Sequence, residues 1–281
     1  MNKNNQNFVF RSINYLSDFS NWKTILRSSY IYVILLAVYI PLFFGLVFSF
    51  NQETPKGEFN TTWTKGTFEN WRNLFDFGRD ASAVNSFLLA FIVGFINVFL
   101  SLITVYALYR QKNKLAKPAV LSNSNIPLVN PDNITAIGLV LVFGLFFGIT
   151  ATDSEGFFRV IVGHVVMVIP YGISLSLPRS YKFNNNLFEA SQDLGYSKLR
   201  SWFKTYFVYM LPSILMTFVV SFVFSIDDFI IARTVSNTST LGTKLYEGAF
   251  QTWGLILGSI VLIITLVGNV IYTIINARKK K

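Results

Sequence analysis

Acids set inside apolar sequence are the residues of this chain with chemistry to offer. Asp227-Asp228 closes a hydrophobic run that begins near Phe207, and Asp132 stands at the head of another. An acid at the centre of a bilayer costs about 2.5–3.5 kcal/mol on insertion scales, so acids kept there face a cavity, a partner or water. At about 1.5 Å per helical residue, Asp227 lies roughly 30 Å beyond Phe207, near the far end of its run. Two readings stay open for the pair. One is a solvated helix end or a pairing with Arg233; the other is an acidic entrance attracting a cationic solute. Asp132 is a weaker candidate of the same kind. His164, the one histidine, sits in an apolar run and reads as an interhelical hydrogen-bonding residue rather than a catalytic base.

Other chemistry is excluded by residue supply. The chain has no cysteine and a single histidine, so thiolate nucleophiles, disulfides and multi-ligand Cys or His metal sites are out. No Gly-x4-Gly-Lys-Ser/Thr loop occurs; Gly242-Thr-Lys244 lacks the preceding glycine. The chain is therefore expected to be non-catalytic, with no nucleotide or metal site of its own.

A second feature is polar and short. In Glu189-Ala190-Ser191-Gln192-Asp193-Leu194-Gly195, the spacing predicts a helix with Asn186 as N-cap and Glu189 reaching back from the third helical position. Gly195 supplies the left-handed stop. So short a helix neither spans a bilayer nor holds alone in water. It is either a solvated connection or a docking helix for another polypeptide.

The elements that must position these residues are membrane spans. The sequence is 52% apolar and 14% charged, against about 25% charged in ordinary soluble proteins. Its apolar residues gather in blocks of about 20, the length that crosses a bilayer. The expected class is an all-α integral membrane protein with six transmembrane helices, near residues 30–50, 84–108, 134–149, 157–177, 207–231 and 255–275. The fourth is expected to be interrupted at Pro170-Tyr171-Gly172. Asp153 and Glu155 read as a short loop before it. Residues 1–28 form a separate N-terminal segment, either an interfacial helix or a disordered tail, and 29–281 the membrane domain.

Charge orients the bundle. With both termini in the cytoplasm, the basic residues of 1–28, 110–117, 179–204 and the C-terminus all lie inside, seventeen of the 24 Lys and Arg. That satisfies the positive-inside bias, so the topology is N-in, C-in and the 189–195 helix is cytoplasmic. The net charge of +10 faces anionic lipid and carries no implication of nucleic acid. Trp63, Trp71 and Phe75 suit an interfacial belt, and Gly144-x3-Gly148 and Gly254-x3-Gly258 suit close helix packing.

Glu189-Ala190-Ser191-x-Asp193-Leu194-Gly195, followed by Leu211-Pro212, resembles the signature loop of the permease subunits of binding-protein-dependent ABC importers, with Ser191 where the pattern has a second alanine. Thr67-Phe-Glu-Asn70, Asn85-Ser86, Tyr106-Ala-Leu-Tyr-Arg110 and the stretch from His164 to Tyr171 are similar to the same family, covering a core of about 84–275. Ser225-Ile-Asp227-Asp228-Phe229 and Leu241-Gly-Thr-Lys-Leu-Tyr246 resemble spermidine/putrescine permeases of the second-subunit type, although the loop after Ser236 lacks a glycine-proline. The resemblance implies a type I importer permease fold in the plasma membrane. Its partners would be a second permease subunit, a cytoplasmic ATPase dimer that binds ATP and magnesium, and an extracytoplasmic solute-binding protein. It assigns coupling to Glu189, Ala190, Asp193 and Gly195, and makes polyamine the expected cargo. The alternatives are another solute (a sugar, an iron complex or an organic acid), an ion-coupled secondary transporter, or a membrane scaffold.

Overall fold

Long runs of Leu, Ile, Val and Phe without polar interruption leave the backbone only itself to bond with, and helix is the form that satisfies it within one segment. In the computed structural model the described residues are 19–112, 118–122, 126, 132–148, 153–247 and 249–279. Among them there are helices and two isolated bridges, and no strand. Four helical stretches, Ser29–Phe48, Arg79–Arg110, Gly156–Tyr181 and Lys198–Asp227, are long and apolar enough to cross a membrane, and two more apolar helices are shorter. This fits a transmembrane protein.

The chain forms two compact units. The first holds α1 (Phe19–Phe48), the single turn α2 (Glu69–Arg72) and α10 (Thr252–Lys279). Along α1 the side chains of Val33, Leu36 and Phe44 are each more than half exposed, an apolar surface suited to lipid. The interfacial segment expected over 1–28 lies outside the described residues up to position 18, and from Phe19 onward the chain is already part of α1. The loop after α1 closes around Asn51. Its amide donates to the carbonyls of Asn60 and Thr62 and accepts from Thr64 N–H, while its carbonyl accepts from buried Asn70. Phe50 stacks on Trp71 at 5.2 Å, and Trp63 meets Phe48 edge-on.

The second unit, Phe75–Ala249, carries both candidate sites. It comprises α3 (Arg79–Arg110), α4 (Asp132–Phe147), α5 (Asp153–Tyr181), α6 (Asn185–Asp193), α7 (Lys198–Asp227), α8 (Ile230–Val235) and α9 (Leu241–Leu245). Helices α3, α5 and α7 pack on one another through small residues. Ser213, Thr217, Ser221 and Ser225 recur every fourth residue on α7 and are all buried. Small side chains at helical spacing let backbones approach where no hydrophobic effect drives them together.

Two apolar clusters bracket a polar belt. Leu89, Val93, Val160, Val165 and Ile231 belong to one; Leu102, Val105, Ile173, Tyr206 and Met210 belong to the other. Between them Asn97 donates to Val168 O at 3.1 Å and to Ser221 Oγ at 2.6 Å, and accepts from Ser101 Oγ at 2.9 Å. Ser176 and Thr217 meet at 3.1 Å further along α5 and α7. Asn97→Leu is expected to lower the stability of the purified protein by about 1–2 kcal/mol, the usual worth of interhelical hydrogen bonds in lipid. An unchanged thermal midpoint in lipid nanodiscs counts against the belt as a fastener.

Two sequence expectations change here. The interruption at 170–172 is absent: α5 runs unbroken through Pro170 and Pro178. Asn97 reaches the carbonyl of Val168 in that turn, and Gly172 permits it, since a Cβ there would strike Ser101 and Asn97. A Cβ at Gly148 or Gly258 meets nothing within 4 Å of this chain, while the Ser/Thr stripe of α7 is buried between helices. Asp153 and Glu155 lie in the first turn of α5 rather than in a loop.

Candidate functional site

The first candidate region is α6 with the start of α7. Phe183 and Phe188 are buried among Tyr106, Tyr109 and Tyr206, with ring centroids of Phe183 and Tyr206 5.2 Å apart. Ser180 Oγ bonds Tyr206 O–H at 2.7 Å, and Tyr109 O–H donates to the Phe183 carbonyl. With Phe183 anchored, the cap falls on the next residue. Asn184 Oδ1 accepts from Asn186 N–H at 3.0 Å, so Asn184 and not Asn186 is the N-cap. Glu189 accordingly does not close the expected capping box; it accepts from Asn185 Nδ2, and Asn185 Oδ1 accepts from Arg110 at 3.3 Å.

The far end of α6 follows the expected design. Gly195 has φ +84°, its N–H donates to Gln192 O at 2.8 Å, and Tyr196 N–H donates to Ser191 O at 3.2 Å. This pair of bonds is the Schellman closure that a left-handed glycine permits. Phe188 and Ser191 face inward, and the Ser191 hydroxyl turns back onto Phe188 O, so it packs as a small residue. Glu189, Ala190 and Asp193 face outward beside Leu187, Leu194 and Leu199, whose side chains are 53%, 78% and 75% exposed. Three large apolar side chains on a polar hairpin make a surface suited to a partner. Directly after it, Trp202–Phe207 winds as a π-helical turn, ending where Pro212 leaves the Val208 carbonyl without its usual donor.

The second region is a pocket of about 520 Å³ in the same unit, and it brings together Asp132, Asp227 and Asp228. Tyr171, Phe224, Phe229 and Tyr246 form its aromatic walls. Acids beside aromatic faces suit an organic cation, which gains from both the charge and the ring quadrupole. Asp132 arrives there because α4 covers only half of α5. Phe147 meets Phe158, and Arg159 donates to Gly148 O, so the two helices run antiparallel from that end. Sixteen residues span about 24 Å, which leaves Asp132 beside Met167 and Tyr171, halfway along α5.

The two adjacent acids are not equivalent. Asp227 and Asp132 are exposed. α7 ends at Asp227, four residues earlier than the expected 231: the oxygens of Asp228 accept from Ala232 N–H at 2.9 Å and Ile231 N–H at 3.4 Å, at the head of α8. Arg233 lies over the Phe229 ring at 5.4 Å and forms no ion pair with either acid among the described residues. His164, fully buried, does join helices as an interhelical hydrogen-bonding residue, with Nδ1 2.8 Å from Ser225 Oγ and Nε2 3.0 Å from Asp228 Oδ2. Its partners were not legible in the chain, because 64 residues separate it from Asp228.

The chain is 30% identical over 272 residues to a Mycoplasma genitalium protein described as a homolog of the spermidine/putrescine transport system permease protein PotC. The match covers 93% of this chain and 94% of that protein. A Mycoplasma pneumoniae protein of the same description is 30% identical over 260 residues, 89% of this chain and 90% of its own length. The PotC permease of Haemophilus influenzae is 29% identical over 217 residues, covering 76% and 80%. No family model matches the chain.

Proposed function

This chain belongs to the PotC-like permeases of spermidine/putrescine transport systems, and on that premise we propose that it forms the membrane path of an ATP-driven polyamine importer. It is a polyamine permease, and the observation carrying this is 30% identity along nearly the full length of a relative so described. Residues 84–275 would form the family core of a six-span, N-in, C-in domain in the plasma membrane, with residues 1–28 cytoplasmic. Asp132, Asp227 and the aromatic walls of the pocket would contact the solute.

α6 would lie in the cytoplasm and dock on an ATPase dimer. Glu189 would pair with a basic group there, Ala190 would allow close approach, Asp193 would border the contact, and Gly195 would fix the turn. The exposed leucines 187, 194 and 199 support this reading, since they cluster on a polar hairpin. ATP and magnesium would be held by that partner, leaving this subunit non-catalytic. A second permease subunit and an extracytoplasmic binding protein would complete the assembly. Seventeen of the 24 basic residues fall on the proposed inner side, which supports the orientation.

The test of function is uptake of radiolabelled spermidine by proteoliposomes holding the assembled subunits, with ATP enclosed. Uptake that needs ATP and is displaced by putrescine is expected; displacement by a sugar alone overturns the cargo. Orientation is tested separately, using the absence of native cysteine. Asp193→Cys is expected to react with an impermeant maleimide only in inside-out vesicles, and Lys56→Cys only in right-side-out ones. The reverse pattern removes α6 from the cytoplasm and the coupling role with it.

A further inference from the structure

Asp227 and Asp228 are the same side chain at successive positions, yet the fold treats them differently. Asp227 is exposed on the pocket. The side chain of Asp228 is 5% exposed, and both its oxygens are engaged by α8 and by His164. A Cβ at position 242 would strike the Asp228 carbonyl, so α9 also packs against this corner. Phe229 next to it stacks on Tyr246 at 4.5 Å.

With a proton on Nε2, the imidazole donates to Asp228 Oδ2, and Nδ1 either accepts from the Ser225 hydroxyl or, in the charged ring, donates to it. In both forms Nε2 is the donor to Asp228. The carboxylate also accepts from two N–H groups at the head of α8, where an acid is favoured.

We propose that His164 is a positioning residue for transport: it withholds the Asp228 carboxylate from the solute by holding it against the head of α8, so that of the two adjacent acids lining the pocket only Asp227 offers it an exposed side chain. This rests on the acidic pocket being the polyamine contact. The histidine touches no solute itself, being fully buried. Its part is to keep α7 ending at Asp227, with the next residue drawn off into the wall. Losing that contact loosens the corner between α7 and α8 and so slows turnover, while Asp227 keeps its place on the pocket.

The test compares amides that place one donor differently. The amide nitrogen of glutamine reaches the position of Nε2, and that of asparagine only the position of Nδ1. In proteoliposomes of the assembled transporter, spermidine uptake is measured over a concentration range. Asp227→Asn is expected to raise KM at least ten-fold with the maximal rate kept within three-fold. Asp228→Asn and His164→Asn are each expected to lower the maximal rate at least ten-fold and leave KM within three-fold. His164→Gln restores the rate to within three-fold of the unsubstituted protein. The double variant His164→Asn with Asp228→Asn is expected to be no worse than Asp228→Asn, since both remove one contact.

Equal loss in the glutamine and asparagine variants, in rate or in assembly, overturns the role of His164, because ring packing and not the Nε2 donor would then be what matters. Multiplying effects in the double variant overturn it too. A raised KM in Asp228→Asn means that this acid meets the solute and is not withheld. An unchanged KM in Asp227→Asn overturns the pocket reading itself, whatever position 164 does.

Discussion

The double substitution Asp132→Asn with Asp227→Asn is expected to lower kcat/KM for spermidine at least a hundred-fold. Each carboxylate would accept a charge-assisted hydrogen bond from an ammonium group, and such bonds contribute about 1.5–3 kcal/mol apiece. Since about 1.4 kcal/mol is ten-fold, two such losses reach a hundred-fold without any change of shape. Both acids are exposed on one pocket, and neither has an ion-pair partner among the described residues, so the amides break no ion pair of the fold. The amides keep the volume, and the aromatic walls of Tyr171, Phe224, Phe229 and Tyr246 remain. The loss should be greater for the triamine spermidine than for the diamine putrescine, and it should shrink as salt rises if long-range attraction contributes. Concentration-dependent uptake at two ionic strengths checks this. A double variant within three-fold of the unsubstituted protein would remove the acids from the path.

What the sequence reveals depends on how far apart the determinants lie. The close of α6 was legible because a Schellman turn is set by residues 191–196 and one left-handed glycine. Its start lies two residues before the Asn186 cap that the local pattern suggests, for a tertiary reason. Three successive asparagines can all cap, and burial of Phe183 among the tyrosines selects Asn184. Pro170 does not break the helix, because a span in lipid has no water to donate to freed backbone carbonyls and so keeps its helix.

The acids show the same limit. Their types marked them as candidates from composition alone, since charge in an apolar run is costly. That Asp132 meets Asp227 follows from the half-length of α4 and its packing on α5, which no local pattern encodes. That Asp228 turns away follows from the register of α5 against α7, which sets His164 opposite Ser225. The small-residue stripe on α7 stands at four-residue spacing in the sequence, and serine and threonine at 213, 217, 221 and 225 are the small residues buried between helices.

Gly195→Val is expected to reduce ATP-driven uptake at least ten-fold. The reason is local and can be followed from backbone to function. At φ +84° a side chain with a Cβ costs roughly 1–2 kcal/mol, and valine, branched at that carbon, sits at the upper end. Refusing that conformation breaks the bonds from Gly195 N–H to Gln192 O and from Tyr196 N–H to Ser191 O, so the last turn of α6 opens. Leu194, Tyr196 and Leu199 then lose their fixed places on the exposed hairpin, while the buried anchors Phe183 and Phe188 hold the rest. The bundle itself is untouched: no atom lies within 4 Å of a Cβ at 195, so folding and membrane insertion should be kept. Gly195→Asn, a residue that tolerates the left-handed region, should recover most of the loss. The measurement pairs uptake with co-purification of the ATPase. Lost uptake with the partner still bound places the turn in force transmission, and lost binding places it in docking. Full uptake by the valine variant rules out both, because a hairpin whose shape can be discarded transmits nothing.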